Sequence, residues 1–378
     1  MAAPQLSSEI NKFALDLYEN DEIVTCTDQI RIDKLRRGSN VITQDNCDRF
    51  RILIPYGGTT LQWEVLFNSN EPHFPPDIIF GDNEEDFEPN LEQMPSLHYW
   101  NPENGNSLTA VVKELLEQYK QYQFELVKNY SQKLEFELES VRQLDTLTSI
   151  EVYVHRDTQR LQQQANFLIK LPMDLARLPP FILNEHPGEY SITLFVSYEG
   201  QDGSTVTPKI FLSPSVEDAF GDTIIKYPSW NDGDKCLVSY ILAVHHYFEG
   251  KVDEIIKSYE HRQSYIASFL SHFGTCVLEY DLESFKEISF LMEHDKFTLI
   301  LTIEIGKDFP EEQPVFKMKS IYNIFNDEPY QAIDDRYPYS PRWSTNEMAS
   351  RARSYLIAAI PQFKVASIKN RLYNPPGI

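Results

Sequence analysis

HYWNPENGNSLTAVVKELLEQYKQYQ, residues 98–123, carries a tryptophan and a proline into a loop and then into a long amphipathic run. Leu108, Val111, Val112, Leu115, Leu116, Tyr119 and Tyr122 follow the i, i+3, i+4 spacing of a helix with one buried face. Pro102, Gly105 and Asn106 bound its start, and Ser107 is a good capping residue. The arrangement returns twice, at Trp230 in YPSWND and at Trp343 in SPRWSTNEMA, each followed by another amphipathic run. Upstream of the first and third copies, strand-like runs carry proline pairs at one spacing: Pro72 and Pro76 in EPHFPPDIIF, Pro310 and Pro314 in FPEEQPVFKM. One architecture is used about three times.

No glycine or proline occurs from Asn106 to Leu171. After a polar patch the apolar stripe resumes at Leu134, Leu138, Val141 and Leu144, so the last helix of one domain is expected to run into the first of the next, continuously or with a kink near Asn129. The same event recurs from Leu237 to Leu270, with Gly250 as the expected break. FRILIPY and LQWEVLF flank Gly57 and Gly58 as a hairpin. SIEVYVH, ANFLIKL, SITLFVSY and PKIFL alternate in the middle, and FGTCVLEY, EISFLME and FTLILTIEI in the third part. Strands followed by helices in blocks predict an α+β fold with antiparallel sheets. The expected domains are 1–127, 128–252 and 253–364, joined by shared helices into a stiff rod, with 365–378 a flexible tail.

The chain has 378 residues and a net charge of −23, from 57 acidic and 34 basic side chains. Domains cluster near about 100 to 150 residues, so two or three fit. The acidic field would repel phosphate backbones and anionic lipid, so neither nucleic acid nor membrane is an expected partner. No run reaches the roughly 18 to 20 apolar residues of a membrane span, and MAAPQLSSEI lacks a signal pattern, so an intracellular protein is expected. Cys26, Cys47, Cys236 and Cys276 are scattered without metal-ligand or disulfide spacing.

The order helix, meandering sheet, proline-paired strand exit, Trp-Asn-Pro and helix is similar to ubiquitin-conjugating enzymes and their inactive UEV and RWD variants. NCDRF (46–50), IPY (54–56), PPDIIFG (75–81), VVKEL (111–115), SHFGT (271–275), YPYSPRW (337–343) and NEMA (346–349) resemble, more narrowly, the brain and reproductive organ-expressed (BRE) family, over about residues 40 to 364. That resemblance implies tandem UEV/RWD-like domains with antiparallel meanders and flanking helices. It implies a non-catalytic scaffold in the BRISC deubiquitinase and its nuclear counterpart, the A complex built around the breast-cancer susceptibility protein. Implied partners are a JAMM-family deubiquitinase with its MPN-domain pseudoenzyme scaffold, the von Willebrand-type adaptor MERIT forty, and lysine-63-linked polyubiquitin. The implied location is cytoplasmic and nuclear. A free-standing UEV receptor for ubiquitin or proline-rich peptides in vesicle sorting is the alternative.

A conjugating enzyme needs a thiolate in the loop between the proline pair and the tryptophan. The windows Asp77 to Tyr99 and Val315 to Arg342 hold no cysteine, nor does the stretch before Trp230; Cys236 follows that tryptophan and reads as a packed thiol on the helix. A JAMM zinc site needs H-x-H, which is absent. His245 and His246 would point about 100° apart on a helix, reading as one packed and one solvated. GGTT at 57–60 reads as a hairpin turn, and no phosphate-loop string occurs. No catalytic residue, metal or cofactor is expected.

Candidate binding residues are therefore surface ones. YPYSPRW gathers aromatics, prolines and an arginine of the types enriched in hot spots, with Trp343 and Tyr337 expected to pack and Tyr339, Pro341 and Arg342 to face a partner. In KNRLYNPPGI, Leu372 and Tyr373 offer an anchor. GDNEEDFEPNLE (81–92) reads either as a solvated loop or as a docking edge for a basic partner.

Overall fold

The computed structural model describes residues 5–19, 23, 25–27, 29–38, 47–68, 71, 73–84, 86–144, 147, 149–157, 162–185, 189–200, 202–221, 226–232, 236–325, 328–334 and 336–373. In chain order the helices are α1 (Ser8–Glu19), α2 (Pro95–His98), α3 (Asn106–Tyr130), α4 (Gln132–Arg142), α5 (Pro180–Glu185), α6 (Pro214–Phe220), α7 (Leu237–Phe273) and α8 (Thr345–Tyr373). The strands are β1 (Arg31–Arg36), β2 (Arg49–Tyr56), β3 (Thr59–Leu66), β4 (Asp77–Ile79), β5 (Ser149–Asp157), β6 (Gln162–Lys170), β7 (Ile192–Glu199), β8 (Thr205–Leu212), β9 (Val277–Tyr280), β10 (Glu287–His294), β11 (Phe297–Glu304), β12 (Val315–Phe325) and β13 (Glu328–Asp334). They form three antiparallel meanders, β1 to β4, β5 to β8 and β9 to β13, which makes the fold α+β. The chain divides into two compact units. One is Met1–Met173 with Glu189–Glu217 and Thr223–Tyr247; the other is Asp174–Gly188 with Asp218–Asp222 and Phe248–Ile378.

In the first unit, β2 alternates strictly between buried and half-exposed positions, sending Phe50, Ile52, Ile54 and Tyr56 inward. On that face Tyr119 of α3 meets both Tyr56 and Trp63 of β3 edge-on, and Phe13 of α1 closes the core. The β2–β3 turn is Gly57-Gly58, with φ +55° and +80°, the left-handed pair that a tight two-residue hairpin requires. This turn is driven against the second sheet. A Cβ on Gly57 would lie 2.6 Å from Tyr153 Cβ, and one on Gly58 2.5 Å from Phe195 Cε2.

Glu151 of β5 fixes the joint. Its fully buried carboxylate accepts from Gly57 N at 2.8 Å and from Cys26 N at 2.7 Å, and burial raises its pKa against the partial offset of those two bonds. Thr193 Oγ1 donates to Cys26 O at 3.0 Å. From α3, Gln123 accepts from Val154 N at 2.9 Å while donating to Tyr119 Oη. Each unpaired buried amide would cost about 1–3 kcal/mol, so these bonds set the register of the two sheets against each other.

The helix pair α3 and α4 is broken at Ser131, which turns extended (φ −162°) and caps α4 by accepting from Lys133 N; the expected kink near Asn129 is a capped break. Buried Glu137 of α4 accepts from Leu237 N, the first amide of α7, at 2.8 Å. A carboxylate there answers the unpaired amides and positive dipole end of a helix N-terminus.

In the second unit, Tyr265, Phe269 and Phe273 of α7, Phe290, Leu299 and Phe316 of the sheet, and Met348, Ala352 and Leu356 of α8 share one core. Gly250 does not break α7, which is unbroken from Leu237 to Phe273. Phe248 and Val252 on either side of it are buried, and their burial outweighs the roughly 1 kcal/mol penalty of a helical glycine. Nothing lies within 4 Å of a Cβ placed on Gly250, so Gly250→Ala should stabilise by about 1 kcal/mol, measured as a higher denaturant midpoint at unchanged slope.

The end of the chain also differs from expectation. Residues 365–373, read as flexible, continue α8. Ser367 is fully buried and accepts from Asn323 Nδ2 of β12 at 2.9 Å, and that bond holds the final turns to the sheet.

Candidate functional site

The YPYSPRW segment and the proline pair form one structure. Tyr337 Oη donates to Pro314 O at 2.8 Å, and Tyr339 Oη to Pro310 O at 2.5 Å. Two tyrosines two residues apart thus tie down two prolines four residues apart, and neither carbonyl goes unsatisfied. Tyr337 is buried and stacked on Phe316, ring centroids 4.2 Å apart. Burial pushes its hydroxyl far above the usual phenol range, and burial with nearby Glu311 raises Tyr339 to about 12. Tyr339 is therefore committed to the fold through its hydroxyl, with its ring half-buried. Pro338, Pro341 and Arg342 are exposed beside it, and Pro338 is a surface residue that the sequence reading had not singled out.

Trp343 is half-buried, contrary to the expectation of a core ring, and packs on the edge of the second unit's core. The Arg351 guanidinium lies 4.1 Å from its ring centroid and is itself held by Glu347 at 2.9 Å. The i, i+4 pair Glu347/Arg351 was a readable signal for this cover. Trp343→Ala should cost about 2 kcal/mol, below the roughly 3–5 kcal/mol of a fully buried tryptophan. A thermal melt checks it, and an unchanged midpoint would remove the ring from the core's edge.

The other two tryptophans stand at equivalent points. Trp100 Nε1 donates to His73 O at 3.0 Å and its ring lies against Phe13; Trp230 meets Tyr198 and Tyr240 edge-on. Leu372 and Tyr373 lie in the last turn of α8, and their side chains, like residues 374–378, fall outside the described residues.

The acidic loop of the first unit is pinned rather than freely solvated. Phe87 packs edge-on against Tyr119 at 5.1 Å, Met94 is fully buried, and buried Glu84 accepts from Gly81 N at 2.9 Å. Burial raises the Glu84 pKa. Asp82, Asp86, Glu88 and Glu92 remain exposed, so the loop presents a fixed row of carboxylates.

The cysteines lie elsewhere. Cys26 is buried 3.1 Å from Ser149 Oγ, its thiol pushed up to about 12 by burial and by Glu151, which leaves it protonated and inert at neutral pH. Cys47 is buried. Cys236 precedes α7 rather than lying on it, and its sulfur accepts from Ser239 N at 3.4 Å as a cap. Cys276 closes a short 3₁₀ turn before β9. Of the adjacent histidines, His245 is half-buried against Pro172 O and His246 is exposed. Among the described residues no group of three His, Cys, Asp or Glu side chains is placed to hold a metal ion.

The model of the brain and reproductive organ-expressed protein (BRE) family matches residues 4–324. A protein of Branchiostoma floridae named "BRISC and BRCA1-A complex member 2" is 38% identical over 373 residues, covering 97% of this chain and 97% of the relative. One of the same name from Danio rerio is 35% identical over 379 residues, covering 98% and 97%.

Proposed function

Because the chain belongs to the BRE family, we propose that it is a non-catalytic scaffold subunit of a JAMM-type, lysine-63-specific deubiquitinase assembly, cytosolic and nuclear. The observation that carries this reading is similarity over nearly the whole length to two proteins named as members of the BRISC and BRCA1-A complexes. In this reading the three meanders are tandem UEV/RWD-like domains, each leading past a tryptophan, Trp100, Trp230 or Trp343, into a long helix. The catalytic core and its MPN-domain pseudoenzyme, the von Willebrand-type adaptor MERIT forty and polyubiquitin are the partners. The buried, protonated Cys26 and the capping Cys236 support a structural use of thiols.

Within this scheme Pro341 and Arg342 are the adaptor-facing residues, with Tyr339 holding the segment in shape, and Leu372 and Tyr373 are a separate anchor in the last turn of α8. Arg342 is exposed, so Arg342→Ala should change stability by less than about 0.5 kcal/mol and weaken adaptor retention about tenfold, as a hot-spot arginine does. Native mass spectrometry of the protein affinity-purified from its own cells, with a lysine-63 chain cleavage assay on the same eluate, tests the whole reading. A stoichiometric assembly whose cleavage is lost on zinc chelation is expected. A lone chain without cleavage would overturn it.

A further inference from the structure

Asn104-Gly105 is the single Asn-Gly pair of the chain, and it stands at the entrance to α3. Asn104 is exposed, and its side-chain carbonyl is turned back along the chain, Oδ1 accepting from Asn106 N at 3.2 Å. That bond holds the side chain toward the peptide that follows it. The Gly105 amide has no hydrogen-bond acceptor among the described residues, and glycine carries no Cβ to hinder approach to its nitrogen. The neighbouring asparagines differ in this respect. Asn101 is followed by Pro102, which has no N–H, and Asn106 by Ser107, whose amide is taken by Asn104 O at 3.1 Å.

Space rather than torsion demands the glycine. Its φ of −58° and ψ of −34° suit any residue, but a Cβ there would overlap the Asp16 carboxylate of α1. The close approach of α1 therefore keeps the labile pair in place. The turn also favours attack on the asparagine side chain. The Asn106 N–H already sits on the oxygen that takes up negative charge when a nucleophile adds to Cγ, which is the placement an oxyanion donor needs.

We propose that Asn104 is a site of spontaneous, fold-assisted deamidation, with water as co-reactant. Gly105 N bonds to Asn104 Cγ as the bond from Cγ to the side-chain nitrogen breaks; the Gly105 amide proton passes through solvent to that nitrogen, which leaves as ammonia. Water then opens the succinimide ring, at Cγ to give aspartate or at the backbone carbonyl to give isoaspartate. Either product adds a carboxylate close to Asp16. Isoaspartate also carries the chain through the former side chain, adding one methylene to the backbone just before α3 and displacing the acceptor of the Ser107 amide. Leu108, Val111 and Val112 beyond it belong to the core of the first unit, so that unit loosens with age at the point where α1 meets α3.

Ageing of the purified chain at physiological temperature and neutral pH, with peptide mapping in heavy-oxygen water, tests it. Asn104 is expected to convert at least tenfold faster than any other asparagine, and no more slowly in the native chain than in the urea-unfolded one. Labelled-methyl transfer by an isoaspartyl carboxyl methyltransferase should tag the same peptide. Asn104→Ser keeps an oxygen that can accept from Asn106 N and should abolish both signals. Asp16→Ala with Gly105→Ala keeps the asparagine, relieves the overlap and should slow conversion at least tenfold. The melting temperature of the wild type should fall during ageing, and that of Asn104→Ser should hold. Conversion spread evenly over the asparagines, or faster once the chain is unfolded, would overturn the inference, as would an equal fall in melting temperature in Asn104→Ser.

Discussion

Glu151→Ala is expected to lower the free energy of unfolding by about 3–5 kcal/mol. The side chain sits with no measurable exposure between the first hairpin and the second sheet, and its two oxygens answer Cys26 N and Gly57 N. Alanine strands both amides where no water reaches them, at about 1–3 kcal/mol each, and adds a cavity. Glu151→Gln keeps one acceptor oxygen and should cost about half as much. The pH dependence gives a second readout. Burial raises this carboxyl's pKa, so between the ordinary carboxylate range and the folded value the native chain holds more protons than the unfolded one. Stability from this group is complete below the unfolded pKa and is lost as pH rises through the folded pKa. Urea melts across that window should show this component in the wild type and not in Glu151→Gln. An alanine variant within 1 kcal/mol of wild type would show that the joint is not held by this carboxylate.

The second large effect is expected at Gly58, where alanine should cost about 2–4 kcal/mol. A φ of +80° burdens an L-residue by about 1–2 kcal/mol, and a methyl 2.5 Å from Phe195 Cε2 forces overpacking of about 1–3 kcal/mol. Combining Gly58→Ala with Phe195→Ala separates the two, because the second substitution opens the space and leaves the backbone strain. If the double variant is no more stable than the sum of the singles, the close approach is not what makes Gly58 costly.

Alternating strands and long amphipathic helices were readable because their patterns repeat over many residues. The β2–β3 hairpin, β5 to β8, β10 and β11 lie where the alternation placed them. The edge strands β1 and β13 were not read: RIDKLR and EPYQAID bury little and carry the charges that protect a sheet edge. Gly250 misled because local propensity favours a break, whereas Phe248 and Val252 bury across it. Glu151 looks like any polar residue in an alternating strand, and only a hairpin almost a hundred residues earlier in the chain makes it a buried acceptor. At the candidate surface the composition of YPYSPRW was visible, but the division of labour was not. Which tyrosine hydroxyl meets which proline carbonyl is a fact of three dimensions, and it ties the Tyr339 hydroxyl into the fold while Pro341 and Arg342 stay exposed.

The joint has a consequence for how the protein is made. Cys26 is held by Glu151 and Thr193, 125 and 167 residues further along the chain, so the first hairpin must wait, with Gly57 N and Tyr153's future seat exposed, until more than half of the polypeptide has left the ribosome. Contacts this remote in sequence form slowly, and a nascent or truncated chain ending after α3 has no internal partner for them. Such fragments should engage chaperones and be cleared quickly, so the cell's supply of the intact protein is governed by completion of synthesis through β7 rather than by the first meander's own stability.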